Sequence, residues 1–150
     1  RKGKVAGTPL KLEVLIMGCQ GAGKTLLVRR IKQLCNKWVP DDVLDSQPTL
    51  GVELDEVVSG GVTVVFREVG GTFVQVWSNF FEDCGAWGFV VDASDAVTCS
   101  RAAVEFMDVA RHPLMRGKKA LLILNKIDAP VCVPEGLLNT LLCLQELRAV

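Results

Sequence analysis

Apolar runs of strand length alternate along this chain with stretches whose apolar residues recur at helical spacing. Residues 12–17 are a short apolar run and predict a strand. Residues 25–38 place Leu26, Leu27, Ile31, Leu34 and Cys35 at helical spacing, with Arg29, Arg30, Lys32 and Lys37 for the outer side. The periodicity breaks from Asn36 to Pro48, where Pro40, Asp41, Asp42 and Asp45 predict an exposed loop. Two strands are predicted next, at 51–58 and 62–68. Ser59-Gly60-Gly61 between them fits a tight antiparallel hairpin, because glycine supplies the positive φ such turns need. Residues 85–93 are almost unbroken in their apolar character and predict a strand buried on both faces, and 120–125 predict another. Helices are expected at 96–110, closed by His112-Pro113, and at 135–147, after a linker from Pro130 to Pro134. Such alternation predicts an α/β fold with a largely parallel sheet.

Composition narrows the class. The 150 residues are 49% hydrophobic, enough for one core and incompatible with global disorder. Seventeen basic and seventeen acidic residues balance to a formal charge of +0, which argues against holding nucleic acid by phosphate neutralisation. No apolar run is long enough to cross a membrane. The six cysteines form no CxxC pair and His112 is the single histidine, so reduced thiols are expected rather than a zinc site or a Cys-His nucleophile. Residues 1–10 contain Arg1, Lys2 and Lys4 without an acid and predict a solvated basic tail; 11–150 form the expected domain. The chain begins at Arg1 with no secretory signal, so any contact with a membrane is expected to depend on residues before it.

Two motifs carry chemistry. Gly18-Cys19-Gln20-Gly21-Ala22-Gly23-Lys24-Thr25 satisfies GxxxxGK[ST] between a predicted strand and a predicted helix. Such glycines let backbone N–H groups curl around a phosphate at a helix N-terminus. Lys24 would reach the β- and γ-phosphates, and the Thr25 hydroxyl would ligate Mg²⁺. Asn125-Lys126-Ile127-Asp128 follows a predicted parallel strand, at the end where such sheets bind ligands. The Asp128 carboxylate would accept two N–H groups of guanine, a donor pair that adenine lacks. Asn125 would tie this loop to the phosphate loop, and the Lys126 stem would cover the base.

With these motifs in place, the chain resembles the Arf-like branch of the Ras superfamily of small GTPases. Pro48-Thr49-Leu50-Gly51 is similar to the switch I motif of that family, and Glu68-Val69-Gly70-Gly71 stands where its DVGG stands. Trp77, Phe80 and Phe81 resemble the aromatic residues that open its second helix, and Val91-Asp92-Ala93-Ser94-Asp95 its fourth-strand ending. The resemblance implies a P-loop, Rossmann-like small-GTPase fold, mostly parallel with one antiparallel edge strand. It implies a switch that binds GTP, GDP and Mg²⁺, with Gln20, Gly21, Ala22 and Gly23 around the phosphates. Thr49 and the Gly71 N–H would contact the γ-phosphate only in the triphosphate state, with Thr25, Thr49 and Glu68 toward the metal. Effectors would dock on switch I, the interswitch hairpin and switch II. Membrane or ciliary traffic from the cytoplasm is the corresponding family setting.

Departures from the family qualify the reading. Its DxxG aspartate is Glu68 here, and its water-orienting glutamine is Thr72, too short for that position. Slow hydrolysis is expected. The stretch from Gly71 to Trp77 is shorter than usual and that from Thr25 to Thr49 longer. The family's sixth strand, guanine-supporting loop and last helix are missing, so the domain is expected to be C-terminally incomplete, with 120–125 as an apolar sheet edge. Three readings follow: a GTP switch with weak hydrolysis; a pseudo-GTPase that holds GTP permanently as a docking subunit; and a nucleotide kinase or ATPase, which explains neither Thr49 nor Asp128.

Overall fold

A computed structural model of the protein describes residues 10–36 and 47–144. Apart from Leu10, the expected basic tail lies outside the described residues, as do Lys37, Trp38 and most of the acidic loop after them. β1 (Leu10–Met17) leads into α1 (Lys24–Asn36). β2 (Val52–Ser59) and β3 (Val62–Val69) form the hairpin, β4 (Ala86–Asp92) precedes α2 (Ala96–Arg111), and β5 (Lys119–Asn125) precedes α3 (Glu135–Leu141). The five strands lie in the order β2-β3-β1-β4-β5. β1 pairs in parallel with β3 and β4, β4 with β5, and only β2–β3 is antiparallel, so the expected architecture holds.

Local chemistry explains the elements. Gly60 and Gly61 stand at φ 59° and 80°, the left-handed pair that a type I′ hairpin turn requires, with Ser59 opposite Val62. Asp95 caps α2, its carboxylate accepting from Thr98 N at 2.7 Å, and His112 ends the helix before Pro113. The period-2 pleat of β1 divides two cores. Leu15 and Met17 face the larger one, with Trp77, Phe89 and Phe106 beneath α2 and α3; Ile16 faces the smaller one, with Val28 of α1 and Val90.

Three expectations are corrected. The strand expected buried on both faces at 120–125 does take the expected edge position, pairing only with β4 among the described residues, but it is not buried: Leu121 is 62% exposed and 122–125 are half-buried. The helix expected at 135–147 closes as α3 at Leu141, with Cys143 turning to φ 49°, a backbone conformation an α-helix cannot continue through; 145–147 lie outside the described residues. The aromatic segment that resembles the start of a second helix is a 3₁₀ helix, Val74–Phe80. Phe73 N bonds to Gly70 O, Val76 N to Phe73 O, and Trp77 Nε1 to Gly70 O at 3.3 Å. Tied back to Gly70 over so few residues, the segment winds at the tighter i→i+3 spacing.

Trp77 anchors that segment. Its indole is 1% exposed and meets the Phe89 ring edge-on at a centroid distance of 5.9 Å. Trp77→Ala should cost about 3–5 kcal/mol, the range for emptying a buried aromatic site, measured as a lower urea midpoint.

Candidate functional site

The carboxyl ends of β1, β3 and β4 converge on the phosphate loop. At Gly18, φ is 142°, and a Cβ there would stand 2.2 Å from Val90 O, so the chain leaves β1 against β4 only because a glycine follows the strand. The loop then enters α1 at Lys24, whose first-turn N–H groups have no partners within the helix. Lys24 is buried, and its Nζ donates to Gly18 O at 2.9 Å and Cys19 O at 3.1 Å. Burial pushes the Lys24 ammonium below its ordinary value, while the nearby Glu68 charge works in the opposite direction. Cys19 turns into the large core instead of toward the cavity, and burial pushes its thiol up.

Beside the loop, the Thr25 hydroxyl donates to Glu68 Oε1 at 2.7 Å, and Thr49 Oγ1 lies 3.1 Å from Thr25 Oγ1 and donates to Glu68 Oε1 at 3.3 Å. Three segments far apart in sequence thus meet on one carboxylate. Burial pushes the Glu68 carboxyl up, against the hydrogen bond from Thr25 and the Lys24 charge. Gly71 presses on the loop so closely that a Cβ would stand 2.2 Å from Gln20 N. An open cavity of about 510 Å³ is lined by Gln20, Gly21, Gly23, Lys24, Thr25, Gln47, Pro48, Thr49, Glu68, Gly71, Thr72 and Lys126.

The second motif meets the first through one amide. Asn125 Nδ2 donates to Ala22 O at 2.8 Å, and a Cβ on Gly23 would stand 2.3 Å from that nitrogen. Lys126 reaches the cavity lining from a left-handed backbone, φ 61°, with its Nζ 2.6 Å from Asp92 Oδ2. Asp128 is exposed and lies outside the lining. Two supports escaped the sequence reading. Asp92, noted there only as a strand ending, also accepts from Ser94 N at 3.0 Å and Ser94 Oγ at 2.5 Å. The Cys132 thiol lies 3.3 Å from the carbonyls of both Ile127 and Ala129, and no spacing in the sequence announces that contact.

Mostly parallel strands around a phosphate loop, with two loops closing on it, define a small GTPase. Residues 3–150 match the sequence model of the ADP-ribosylation factor family, and the chain belongs to that family. It is 29% identical to human ADP-ribosylation factor-like protein 16 over 138 residues, covering 90% of this chain and 70% of the relative. Against ADP-ribosylation factor-like protein 8b of Arabidopsis thaliana it is 30% identical over 122 residues, covering 80% of this chain and 63% of the relative. The Arl6 BBS3 small GTPase of Trypanosoma brucei, solved with the nucleotide analogue GppNp bound, superposes with a TM-score of 0.76 at 25% identity, over 91% of this chain and 80% of that one.

The Asp92–Lys126 pair sets a pH dependence. Burial raises the Asp92 carboxyl, but the hydrogen bonds from Lys126 and Ser94 outweigh it and hold the group below its ordinary value. Its contribution is therefore complete above the ordinary carboxyl value and lost as pH falls through the lower folded one. Asp92→Asn should cost about 1 kcal/mol at neutral pH, since the lysine end is partly solvated. The gap in urea midpoints between variant and wild type should close in strong acid.

Proposed function

We propose that this chain is a guanine-nucleotide-binding switch that takes GTP or GDP with one Mg²⁺ and hydrolyses GTP slowly. The observation that carries the reading is the single cavity on which the phosphate loop, Thr49, Glu68 and Gly71 converge, with Asn125 fastening the second motif to the loop's own backbone. Gly18, Gln20, Gly21, Ala22, Gly23 and Lys24 surround the phosphates in this reading. Lys126 covers the base, and Asp128 selects guanine by accepting two N–H groups.

The metal fits the donor set. Thr25, Thr49 and Glu68 present three hard oxygens in mutual contact, the ligand type Mg²⁺ prefers. When bound, it would neutralise charge on the β- and γ-phosphates. The chain's own residues do the rest. Lys24 adds a fixed positive charge, Gly71 brings its backbone N–H to the γ-phosphate, and Thr49 links switch I to the metal. Loss of the γ-phosphate removes the contacts that hold both switch segments, an order-to-disorder change that effectors on switch I, the β2–β3 hairpin and switch II would sense. Family setting extends this to membrane or ciliary traffic, with 11–150 as the nucleotide-binding domain.

One observation favours a second reading, a pseudo-GTPase that keeps GTP and serves as a docking subunit. Thr72 lines the cavity at the position of the family's water-orienting glutamine, and its side chain is too short to orient an attacking water there. Thr72→Gln discriminates: single-turnover hydrolysis should rise if the missing amide is limiting, and a flat rate with nucleotide still bound supports permanent retention.

Lys24→Ala should abolish most nucleotide binding by calorimetry, because the remaining loop holds the anion with backbone dipoles alone. Asp128→Asn should move preference from guanosine toward xanthosine nucleotides in competition. A wild-type protein that prefers ATP over GTP would overturn the guanine assignment.

A further inference from the structure

The longer carboxylate at position 68 changes how the site meets its cation. An octahedral Mg²⁺ holds oxygens at 2.0–2.1 Å, so adjacent ligands stand about 2.9 Å apart, the edge of that octahedron. Thr25 Oγ1, Thr49 Oγ1 and Glu68 Oε1 form a closed triangle with sides of 2.7, 3.1 and 3.3 Å. That is one face of such an octahedron, already assembled. The triangle is built from the start of α1, the loop before β2 and the last turn of β3, so its closure is a tertiary fact and no accident of local spacing.

Side-chain length decides whether the carboxylate belongs to that face. A glutamate exceeds an aspartate by one methylene, about 1.5 Å of reach. Drawing Glu68 Oε1 back by that length from its 2.7 Å contact would leave a gap that only a bridging water spans. The charge balance points the same way. Glu68 is 3% exposed, no ion pair among the described residues involves it, and Lys24 Nζ is taken up by the carbonyls of Gly18 and Cys19. A buried carboxylate in contact with two hydroxyls and without an ion-pair partner is suited to binding a cation directly.

We propose that Glu68 is an inner-sphere ligand of the divalent cation, joining Thr25 and Thr49 in its first coordination sphere rather than contacting it through water. The proposal rests on the nucleotide-binding reading above. Three protein oxygens and one oxygen from each of the β- and γ-phosphates fill five of six positions and leave one for water. An outer-sphere Glu68 leaves two.

Mn²⁺ with the full chain and GppNp tests this, by electron paramagnetic resonance in ¹⁷O-enriched water, where line broadening counts bound waters. One water is expected for the wild type and two for Glu68→Asp, with broadening roughly doubled. Two waters in the wild-type complex would overturn the inner-sphere assignment and leave nucleotide binding intact. Failure of Mn²⁺ and the analogue to bind at all would overturn both, and a nucleotide titration without metal separates that outcome from the first. Should Glu68→Asp not fold, Glu68→Gln supplies the comparison, because a neutral amide is a poorer metal ligand: its Mn²⁺ complex should show the second water, and an unchanged count of one would overturn the inner-sphere assignment.

Discussion

The site depends on backbone approaching its neighbours more closely than any Cβ allows. Gly18 against Val90, Gly23 against Asn125 and Gly71 against Gln20 each leave under 2.4 Å for a Cβ, closer than real Cβ contacts come. These three approaches set where β1 ends relative to β4, where the loop after β5 sits relative to the phosphate loop, and where the segment after β3 meets that loop. The polar contacts follow from that spacing. Asn125 reaches Ala22 O at 2.8 Å because Gly23 stands aside, and Lys24 folds back on the carbonyls of its own loop because Gly18 has turned them inward.

Much of this architecture was legible in the sequence. Strand and helix periods located every described strand and all three α-helices, and the phosphate-loop motif carried its own context of strand and helix. The misses share a cause. β5 has a buried strand's composition, but burial depends on neighbours, and only β4 lies beside it among the described residues. The 3₁₀ turn at Val74–Phe80 arises from Trp77 bonding back to Gly70, a tertiary contact that local propensity does not encode. The Asp92–Lys126 contact exists only once β4 and β5 are paired, while the bonds of Ser94 to Asp92 and of Cys132 to Ile127 are local loop geometry that periodicity does not report.

The arrangement also links the site to the rest of the domain. Arg67, one residue before the Glu68 that takes part in the threonine triangle, extends to the opposite face of β3. There it pairs with Glu13 at 2.5 Å and lies over the Phe80 ring at 5.1 Å. Lys118, on the approach to β5, donates to the carbonyls of Phe81, Glu82 and Cys84 at the far end of the same aromatic segment. The segment that follows Gly71 is thus tied back to Gly70 by Trp77, met at Phe80 by Arg67 and held at its end by Lys118. Movement at Gly71 would be felt as a change in those three anchors.

The two cores that flank the sheet are very unequal. Under α1 the buried cluster among the described residues is small, Ile16, Ala22, Val28 and Val90, whereas the face beneath α2 and α3 holds most of the large side chains, Trp77, Phe89, Leu15 and Met17 among them. Resistance to local opening scales with the apolar contacts that must be broken. The domain is therefore built as a firm half and a yielding half that share one sheet. Amide protons of β1 and β4 would exchange with solvent only in near-global unfolding, while those of α1 and the outer part of β5 would exchange through smaller openings. The phosphate loop joins the two halves, so the free energy of filling it would register first as slowed exchange in α1.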